Sequence, residues 1–246
     1  MIYAGGHLTI LESVDSTNNY AMARVRAGLA KHGDAFFAMA QSAGKGQRGK
    51  TWLTERGTNI IITLVMRPEG LLLQDQFRFS AGVALGTHDF FSTYAGDKTS
   101  VKWPNDIYWN DRKAGGILIE NLVAGGNEGW QWAIAGIGLN INQTSFPQEI
   151  RNPVSLKQIT GKEWNVIELA KELCTRVLSR AETSIPDGKW LNDYNKRLYK
   201  RDQAARFRQG NRVFEATVKE VNASGNLVLN TGIEEQFGFG SIEWML

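Results

Sequence analysis

With 246 residues, the chain is long enough for one substantial hydrophobic core and a small second unit. The net charge of only +3 argues against binding of nucleic acid over a wide surface, and a 42% hydrophobic composition excludes a disordered chain. The single cysteine, Cys174, excludes an intramolecular disulfide framework and a multi-cysteine zinc site.

The N-terminus carries neither the basic region nor the long apolar run of a secretory signal, and no stretch of the sequence reaches membrane-spanning length. Together with the lone cysteine, these features predict a cytoplasmic protein that does not bind membranes. Cys174 recurs with Ala170, Val177 and Ala181 at helical spacing, so we expect it to be a small core residue of a helix.

The first part of the chain mixes strand and helix patterns. In chain order, the predicted elements are a strand over 7–14, a helix over 15–29, strands over 34–42 and 59–66, and a helix over 75–95. Asp15, Ser16 and Thr17 are the candidate N-caps of the first helix.

A two-residue turn at 110–111 predicts a hairpin, in which Tyr108 lies opposite Lys113. Asp106 then shares a sheet face with Tyr108 and becomes a diagonal neighbour of Lys113, within reach of its long side chain. Lys102 precedes Asp106 by four residues. The segment is therefore expected to bring two ammonium groups and one carboxylate close together.

The second half of the chain adds an apolar strand over 130–142 and an amphipathic helix over 165–181. The basic segment 189–208 has a helical pattern and is predicted to expose a solvated face rather than a nucleic-acid patch. The rest is strand and turn. We therefore predict an α+β (mixed α/β) fold, with a mixed sheet flanked by helices at 1–203 and a small SH3-like β-barrel at 204–246.

The stretch "GKGQRGKTW", residues 44–52, satisfies the P-loop pattern G-x-x-x-x-G-K-[ST]. A P-loop needs a helix directly after it, because the helix N-terminus faces the phosphate. Only "TWLTER" separates Lys50 from the next turn, which is too short for a helix of usual length. The loop is instead predicted to approach an anion through Lys45, Arg48 and Lys50, with glycines that let its backbone come close.

Four segments together resemble those of bacterial biotin protein ligases: "DSTN" at 15–18, "QSAGKGQRGKTW" at 41–52, "KWPNDIYWNDRKAGGILIE" at 102–120 and "GIGLNIN" at 136–142. The pairing of "KWPND" with "K-x-G-G-I-L-x-E" is the most specific part of the match. The resemblance implies the catalytic fold of class II aminoacyl-tRNA synthetases. It also implies an enzyme that activates biotin with ATP as biotinyl-5′-AMP and transfers it to a lysine of a carrier protein.

The resemblance assigns site residues to three groups. Those implied to bind biotin are Ser16, Thr17, Asn18, Gln41, Gly44, Lys45, Gly46, Gln47, Lys113, Gly116 and Gly138. Those implied to bind ATP or the adenylate are Arg48, Trp52, Asn105 and Asn140. Those implied to act in catalysis are Lys113, Asp106, Lys102, Lys45 and Arg48.

Individual roles also follow from the resemblance. Lys113 is implied to meet the biotin carboxylate and the α-phosphate, Asp106 to orient or deprotonate the incoming lysine amine, and Trp52 to stack on adenine. The usual family loop has arginines where this chain has Lys45 and Gln47. Lys45 keeps the positive charge but loses the bidentate geometry of arginine, whereas Gln47 loses the charge.

The implied cofactor is ATP with Mg²⁺, and biotin is the implied substrate. The three histidines show no ligand spacing, so we predict no metal cluster of protein side chains and expect Mg²⁺ to come with ATP. The implied partner is the biotin carboxyl carrier protein domain of acetyl-CoA carboxylase or a related carboxylase, and a homodimer is left open. Some family members carry an N-terminal DNA-binding domain; because the biotin segment begins at Asp15 here, we expect no regulatory binding of DNA.

Three other functions fit parts of the sequence. A lipoate or octanoate protein ligase would share the fold and the active-site lysine, but it needs a long acyl slot rather than ring-binding polar groups. A P-loop NTPase fits the glycine-rich loop alone. A non-catalytic binding module fits the basic segment 189–208 but would have no use for Lys113 beside a cationic loop.

Overall fold

The computed structural model of the protein describes residues 1–123, 129–182 and 189–245. Its largest feature is an eight-stranded sheet, here called the main sheet. The strands are β1 (Ile2–Tyr3), β2 (Gly6–Leu11), β3 (Ala35–Ala38), β4 (Ile60–Met66), β5 (Thr99–Lys102), β6 (Asp106–Trp109), β7 (Arg112–Val123) and β8 (Trp130–Leu139). Their spatial order is β1-β2-β3-β4-β8-β7-β6-β5, and β2 pairs with β3 in parallel while the other neighbours are antiparallel.

Helices cover both faces of the main sheet. They are α1 (Thr17–Arg26), α2 (Gln76–Ala95), α3 (Leu156–Thr160), α4 (Val166–Glu182) and α5 (Lys189–Lys196). On one face, α2 and α4 pack closely because Gly86 has no side chain, and a β-carbon there would lie 2.7 Å from the Cα atom of Val177. On the other face, Ala21 and Val25 of α1 pack against Phe36, which leaves the N-terminal end of α1 facing β7 and β8.

The five remaining strands form a second sheet, here called the C-terminal sheet. They are β9 (Ala204–Gln209), β10 (Arg212–Val221), β11 (Leu227–Asn230), β12 (Glu234–Phe237) and β13 (Glu243–Trp244), in the antiparallel order β12-β11-β10-β9-β13. Phe207, Val218 and Leu229 are buried in its interior. The predicted mixed fold with a small β unit after it is confirmed.

The prediction of a helix across 189–208 is wrong beyond Lys196, where α5 ends. After that point the backbone pairs with the edge of the main sheet, since Val101 N–H donates to Arg197 O at 2.8 Å and Tyr199 N–H donates to Val101 O at 2.9 Å. Tertiary hydrogen bonds to β5 therefore outweigh the local helical preference.

The same structure rules out a P-loop. Residues 50–59, all of them described, contain no helix, and the chain passes from a single 3-10 turn at Gln47–Gly49 to β4. A phosphate on this loop would thus meet no helix N-terminus. Over the described ranges, none of the helices has the length and apolar character needed to cross a membrane.

A charged network behind the main sheet joins α2, α4 and the residue that follows α5. Asp89 of α2 accepts from Arg180 Nη2 of α4 at 2.6 Å and from Arg197 Nε at 3.1 Å, and His88 Nδ1 lies 3.2 Å away. Burial alone would raise the pKa of Asp89, but the hydrogen bonds from His88 and Arg180 and the charge of Arg197 outweigh it and lower the pKa to about 2. The carboxylate is therefore stabilised in its ionised form.

Replacing Asp89 by asparagine is expected to lower the free energy of unfolding by about 2 kcal/mol near neutral pH, because Arg180 and Arg197 lose the nearer of the two carboxylates that they share and keep only Asp193. A depressed folded pKa contributes stability above the ordinary carboxyl pKa of 3.8 that is lost as the pH falls towards about 2. Urea unfolding should show that the difference in free energy of unfolding between the unaltered protein and Asp89→Asn is smaller at about pH 3 than at about pH 7. Glu163→Gln, at an exposed ion pair with Lys157, is the control. An equal difference at both pH values would contradict the prediction.

Candidate active site

A pocket opens on the α1 face of the main sheet, between the N-terminal end of α1, the glycine loop (residues 44–52) and strands β6, β7 and β8. Most sequence-predicted site residues line it: Ser16, Thr17, Asn18, Gln41, Lys45, Gly46, Gln47, Trp52, Asn105, Asp106, Lys113, Gly116 and Gly138. Four others lie outside the lining: Gly44, Arg48, Lys102 and Asn140.

At one end of the pocket, Gln41 holds the start of α1. Its Oε1 atom accepts from the Thr17 backbone N–H at 2.7 Å and from Thr17 Oγ1 at 3.1 Å. Those two bonds use both lone pairs of the amide oxygen. Gln41 can therefore offer only its Nε2 donors to a ligand.

Asn18 is fixed by three hydrogen bonds and is only 3% exposed. Its Nδ2 atom donates to Glu120 Oε2 at 2.7 Å and to Leu118 O at 3.3 Å, while its Oδ1 atom accepts from Thr63 Oγ1 at 2.7 Å. Both amide hydrogens are used, so Asn18 can only accept from a ligand. Gly136 of β8 leaves the space for this side chain, since a β-carbon there would lie 3.0 Å from Asn18 Cγ and closer still to Oδ1.

Thr63, Glu120 and Gly136 are functional neighbours that the sequence reasoning missed. Glu120 stands at the end of the quoted "GGILIE" segment and Gly136 opens "GIGLNIN", so both lie within motifs that carried the resemblance. Thr63 gives a weaker signal, as the one polar residue in the apolar run of β4.

An ion pair lines the pocket. Lys113 Nζ lies 2.7 Å from Asp106 Oδ1, and the two side chains are 28% and 17% exposed. The predicted turn is confirmed, because Tyr108 pairs with Lys113. A bulge follows, with Ala114 as the extra residue, so Asp106 lies opposite Gly116 rather than opposite Gly115, as an unbroken register would place it.

Gly116 makes room for this ion pair. A β-carbon there would lie 3.2 Å from Asp106 Oδ1 and 3.5 Å from Lys113 Nζ. Behind it, the buried Asn140 donates from Nδ2 to Lys113 O at 3.3 Å and to Val154 O at 3.2 Å. Asn140 therefore holds the backbone of Lys113 in this structure rather than lining the pocket.

The glycine loop is anchored to the sheet at several points. Lys45 Nζ lies 3.6 Å from Glu120 Oε1 and donates to Asn19 Oδ1 at 2.5 Å. Gln47 Nε2 donates to Ile117 O at 3.4 Å, and Asn105 Nδ2 donates to the same oxygen at 2.7 Å. The loop thus lies over the pocket with one cation held beside a carboxylate.

Gly44 and Arg48 act elsewhere in the loop. Trp52 N–H donates to Gly44 O at 2.8 Å, and a β-carbon on Gly44 would meet Trp52 O, so glycine is needed for the loop to fold back on itself. Arg48 has a positive φ of 57° and is exposed, with its guanidinium towards Gly240 in the turn between β12 and β13. Its charge lies outside the pocket lining.

The Trp52 ring lies against the backbone of β8. A β-carbon on Gly138 would come within 2.5 Å of the ring, which shows how closely the indole covers that strand. Lys113 Nζ lies 5.8 Å from the centroid of the same ring. The indole N–H is buried and has no hydrogen-bond partner.

Lys102 lies just behind the ion pair. It pairs with Asp106 across β5 and β6, and its Nζ atom lies 5.1 Å from the ring of Tyr108 and 5.4 Å from the ring of Trp244. Burial, together with the charges of Lys113 and Lys50, lowers the pKa of its ammonium group to about 8 against the opposing effect of Asp106. No group of His, Cys, Asp or Glu within the described residues could hold a metal ion.

Comparison with known proteins adds independent information. The model of the biotin/lipoate A/B protein ligase family matches residues 10–140. The chain is 33% identical over 149 residues to the bifunctional ligase/repressor BirA of Escherichia coli (strain K12), covering 60% of this chain and 44% of that protein. It is 38% identical over 136 residues to the biotin–[acetyl-CoA-carboxylase] ligase of Paracoccus denitrificans, covering 54% and 53%. The chain thus matches about half the length, or less, of these curated relatives.

Among solved structures, the biotin protein ligase from Aquifex aeolicus in complex with biotin and ATP superposes with a TM-score of 0.80 over 97% of this chain and 98% of that one. The identity is 21%, so this likeness establishes the fold. It extends across both the main sheet and the C-terminal sheet.

Proposed function

This chain belongs to the biotin/lipoate A/B protein ligase family, and from that premise we propose that it is an ATP-dependent biotin–protein ligase. The observation that carries the proposal is that one pocket joins the Lys113–Asp106 ion pair to the oriented amides of Gln41 and Asn18. The residues assigned to the reaction and the residues assigned to the ureido ring of biotin therefore line the same pocket.

The proposed reaction has two steps. An oxygen of the biotin carboxylate attacks the α-phosphorus of ATP, the bond from that phosphorus to the bridging oxygen breaks, and pyrophosphate leaves. The neutral amine of a carrier-protein lysine then attacks the acyl carbon, an amide bond forms, AMP leaves and the amine loses one proton. Both steps develop negative charge on phosphate oxygens, which positioned cations stabilise.

Lys113 is the cation that we assign to the reacting carboxylate and the α-phosphate, and Lys45 and Arg48 are the loop cations assigned to the phosphates. Arg48 would have to turn away from Gly240 to act there. Asp106 is assigned to the incoming amine, because a carboxylate in contact with Lys113 is placed to accept a proton or a hydrogen bond. Trp52 is assigned to adenine as a stacking surface.

The amide end of the pocket favours biotin over a plain acyl chain. A ureido ring has two N–H donors and one carbonyl acceptor, and here Asn18 can only accept while Gln41 can only donate. Lipoate and octanoate offer no such ring, so the remaining acceptor position of Asn18 Oδ1 and the Nε2 donors of Gln41 would have no partner on the ligand. The proposal therefore ranks the lipoate or octanoate ligase second.

The proposal includes a partner and a cofactor. The carrier is a biotin carboxyl carrier protein domain of a carboxylase, as the name of the Paracoccus denitrificans relative suggests. Mg²⁺ would be held by the phosphates of ATP, since the described residues offer no cluster of ligands for it. We also propose that the catalytic unit ends near residue 203 and that a separate small unit begins at Ala204, where β9 starts.

ATP–pyrophosphate exchange tests the proposal directly. The protein should incorporate labelled pyrophosphate into ATP when biotin is present, and not with lipoate, octanoate or no acid. Exchange with lipoate instead of biotin would identify the protein as a lipoate–protein ligase. ATP hydrolysis without any acid would contradict acid activation altogether.

A further inference from the structure

Lys102 is held between two aromatic rings that come from different sheets. Tyr108 belongs to β6 of the main sheet, and Trp244 belongs to β13, the last strand of the C-terminal sheet. The ammonium lies 5.1 Å from the first ring centroid and 5.4 Å from the second. Both distances are within the range in which a cation interacts with the face of an aromatic ring.

Trp244 is itself well fixed. It pairs with Phe207 of β9, and the two rings lie 4.7 Å apart between centroids. The next residue continues the contact, since Met245 N–H donates to Arg206 O at 2.8 Å. The Tyr199 ring lies 5.6 Å from that of Trp244 on another side. The Trp244 ring is therefore held in place by contacts with neighbouring residues.

The strand end that carries Lys102 is also tied to the C-terminal sheet at the next residue. Trp103 is 2% exposed, and its Nε1 atom donates to Gly225 O at 2.9 Å. Two consecutive residues are thus held by the C-terminal sheet: Lys102 by a ring and Trp103 by a hydrogen bond. They directly precede the turn that leads to Asp106.

Four charged or titratable groups act on the Lys102 ammonium from the elements around it. Asp106 and Tyr108 lie on β6, Lys113 lies on β7 and Lys50 lies on the glycine loop. Asp106 is the only carboxylate among them, and its Oδ1 atom contacts Lys113. One carboxylate is therefore shared by two ammonium groups, only one of which lines the pocket.

We infer that Trp244 is a positioning residue through which the C-terminal sheet holds Lys102 behind the Lys113–Asp106 pair. The inference rests on the proposed function and deepens it. When Lys113 turns to the substrate carboxylate or phosphate, Lys102 stays as the counter-charge of Asp106. The ring of Trp244 keeps that ammonium close and shields it from water, so the last strand of the chain completes the catalytic site.

The environment of the Lys102 amine can be measured by chemical modification, without an assay of enzymatic activity. Acetylation of Lys102 by acetic anhydride, followed by peptide mapping across a range of pH, gives the midpoint at which its amine becomes reactive. In the unaltered protein the midpoint should lie near 8. In Trp244→Leu it should rise by about one pH unit or more, because loss of shielding outweighs loss of the ring's attraction for the cation.

Two further variants guard the comparison. Trp244→Phe keeps an aromatic wall and should keep the midpoint within about 0.3 units of the unaltered protein, even if the leucine variant folds poorly. Trp109→Leu is the matched control, because Lys98 Nζ lies 5.8 Å from the Trp109 ring at another lysine–tryptophan contact. That change should leave the Lys102 midpoint where it was.

Biotin-dependent pyrophosphate exchange adds the functional half. Trp244→Leu should lower the exchange rate roughly tenfold, and the pH at which the rate falls on the alkaline side should rise together with the Lys102 midpoint. Trp244→Phe should keep both the rate and this pH close to those of the unaltered protein. An unchanged midpoint in a folded Trp244→Leu protein would overturn the inference. If the unaltered protein showed no exchange with any acid, the proposed function would fall, whereas a shifted midpoint would still place Trp244 as the residue that positions Lys102.

Discussion

Replacing Lys113 by alanine is expected to lower biotin-dependent pyrophosphate exchange by a factor of about 10² to 10³. The change removes the cation of the ion pair that lines the pocket. It also leaves Asp106, which is 17% exposed, without the ammonium 2.7 Å away, so a carboxylate with only Lys102 as its remaining counter-charge would face the incoming phosphates. Binding of biotin should persist, because the amides of Asn18 and Gln41 are untouched.

Exchange rates and calorimetric titration with biotin check this result on the same preparation. Lys157→Ala is the matched control, since it breaks a lysine–carboxylate contact of 2.9 Å with Glu163 at the surface. It should alter neither quantity. A Lys113→Ala protein that keeps more than about a tenth of the exchange rate would assign the charge stabilisation to another group.

The second large effect is expected from Gly136→Ala. The added methyl group would overlap Asn18 Oδ1 and lie 3.0 Å from Asn18 Cγ, and this side chain has no room to move because it is 3% exposed. Its hydrogen bonds to Thr63 and Glu120 would have to break or lengthen. We expect a loss of about 2–4 kcal/mol in the free energy of unfolding and a biotin affinity at least about tenfold weaker.

Urea unfolding and calorimetric titration of the same variant measure both effects. Gly238→Ala serves as the control, because a β-carbon there has Asn226 Oδ1 at 3.5 Å as its nearest neighbour and the backbone does not need glycine. If Gly136→Ala bound biotin as tightly as the unaltered protein, Asn18 would not contact the ureido ring of bound biotin.

The sequence was most informative where a local rule fixed geometry. The two-residue turn at 110–111 predicted the pairing of Tyr108 with Lys113, and the resulting contact between Asp106 and Lys113 is present at 2.7 Å. The bulge at Ala114 was not predictable, because it depends on how β7 pairs with its neighbours.

Other features depend on contacts distant in the chain. The helix predicted over 189–208 stops at Lys196 because the backbone that follows bonds to β5. The family resemblance located residue types but not the direction of their side chains. Asn140 therefore holds the main chain of Lys113, and Arg48 lies by Gly240, although both had been assigned to the nucleotide. Such placements need three-dimensional packing rather than a motif.

Backbone hydrogen bonds fix both ends of the segment that joins the two sheets. Residues 197–199 are bonded into the edge of the main sheet through Val101, and Asp202 N–H donates to Val218 O of the C-terminal sheet at 2.7 Å. A hinge at this junction would have to break those bonds before the C-terminal sheet could swing away. Relative movement of the two sheets would therefore cost backbone hydrogen bonds, whereas the glycine loop is held over the pocket by side-chain contacts of 3.6 Å from Lys45 to Glu120 and 3.4 Å from Gln47 to Ile117 O.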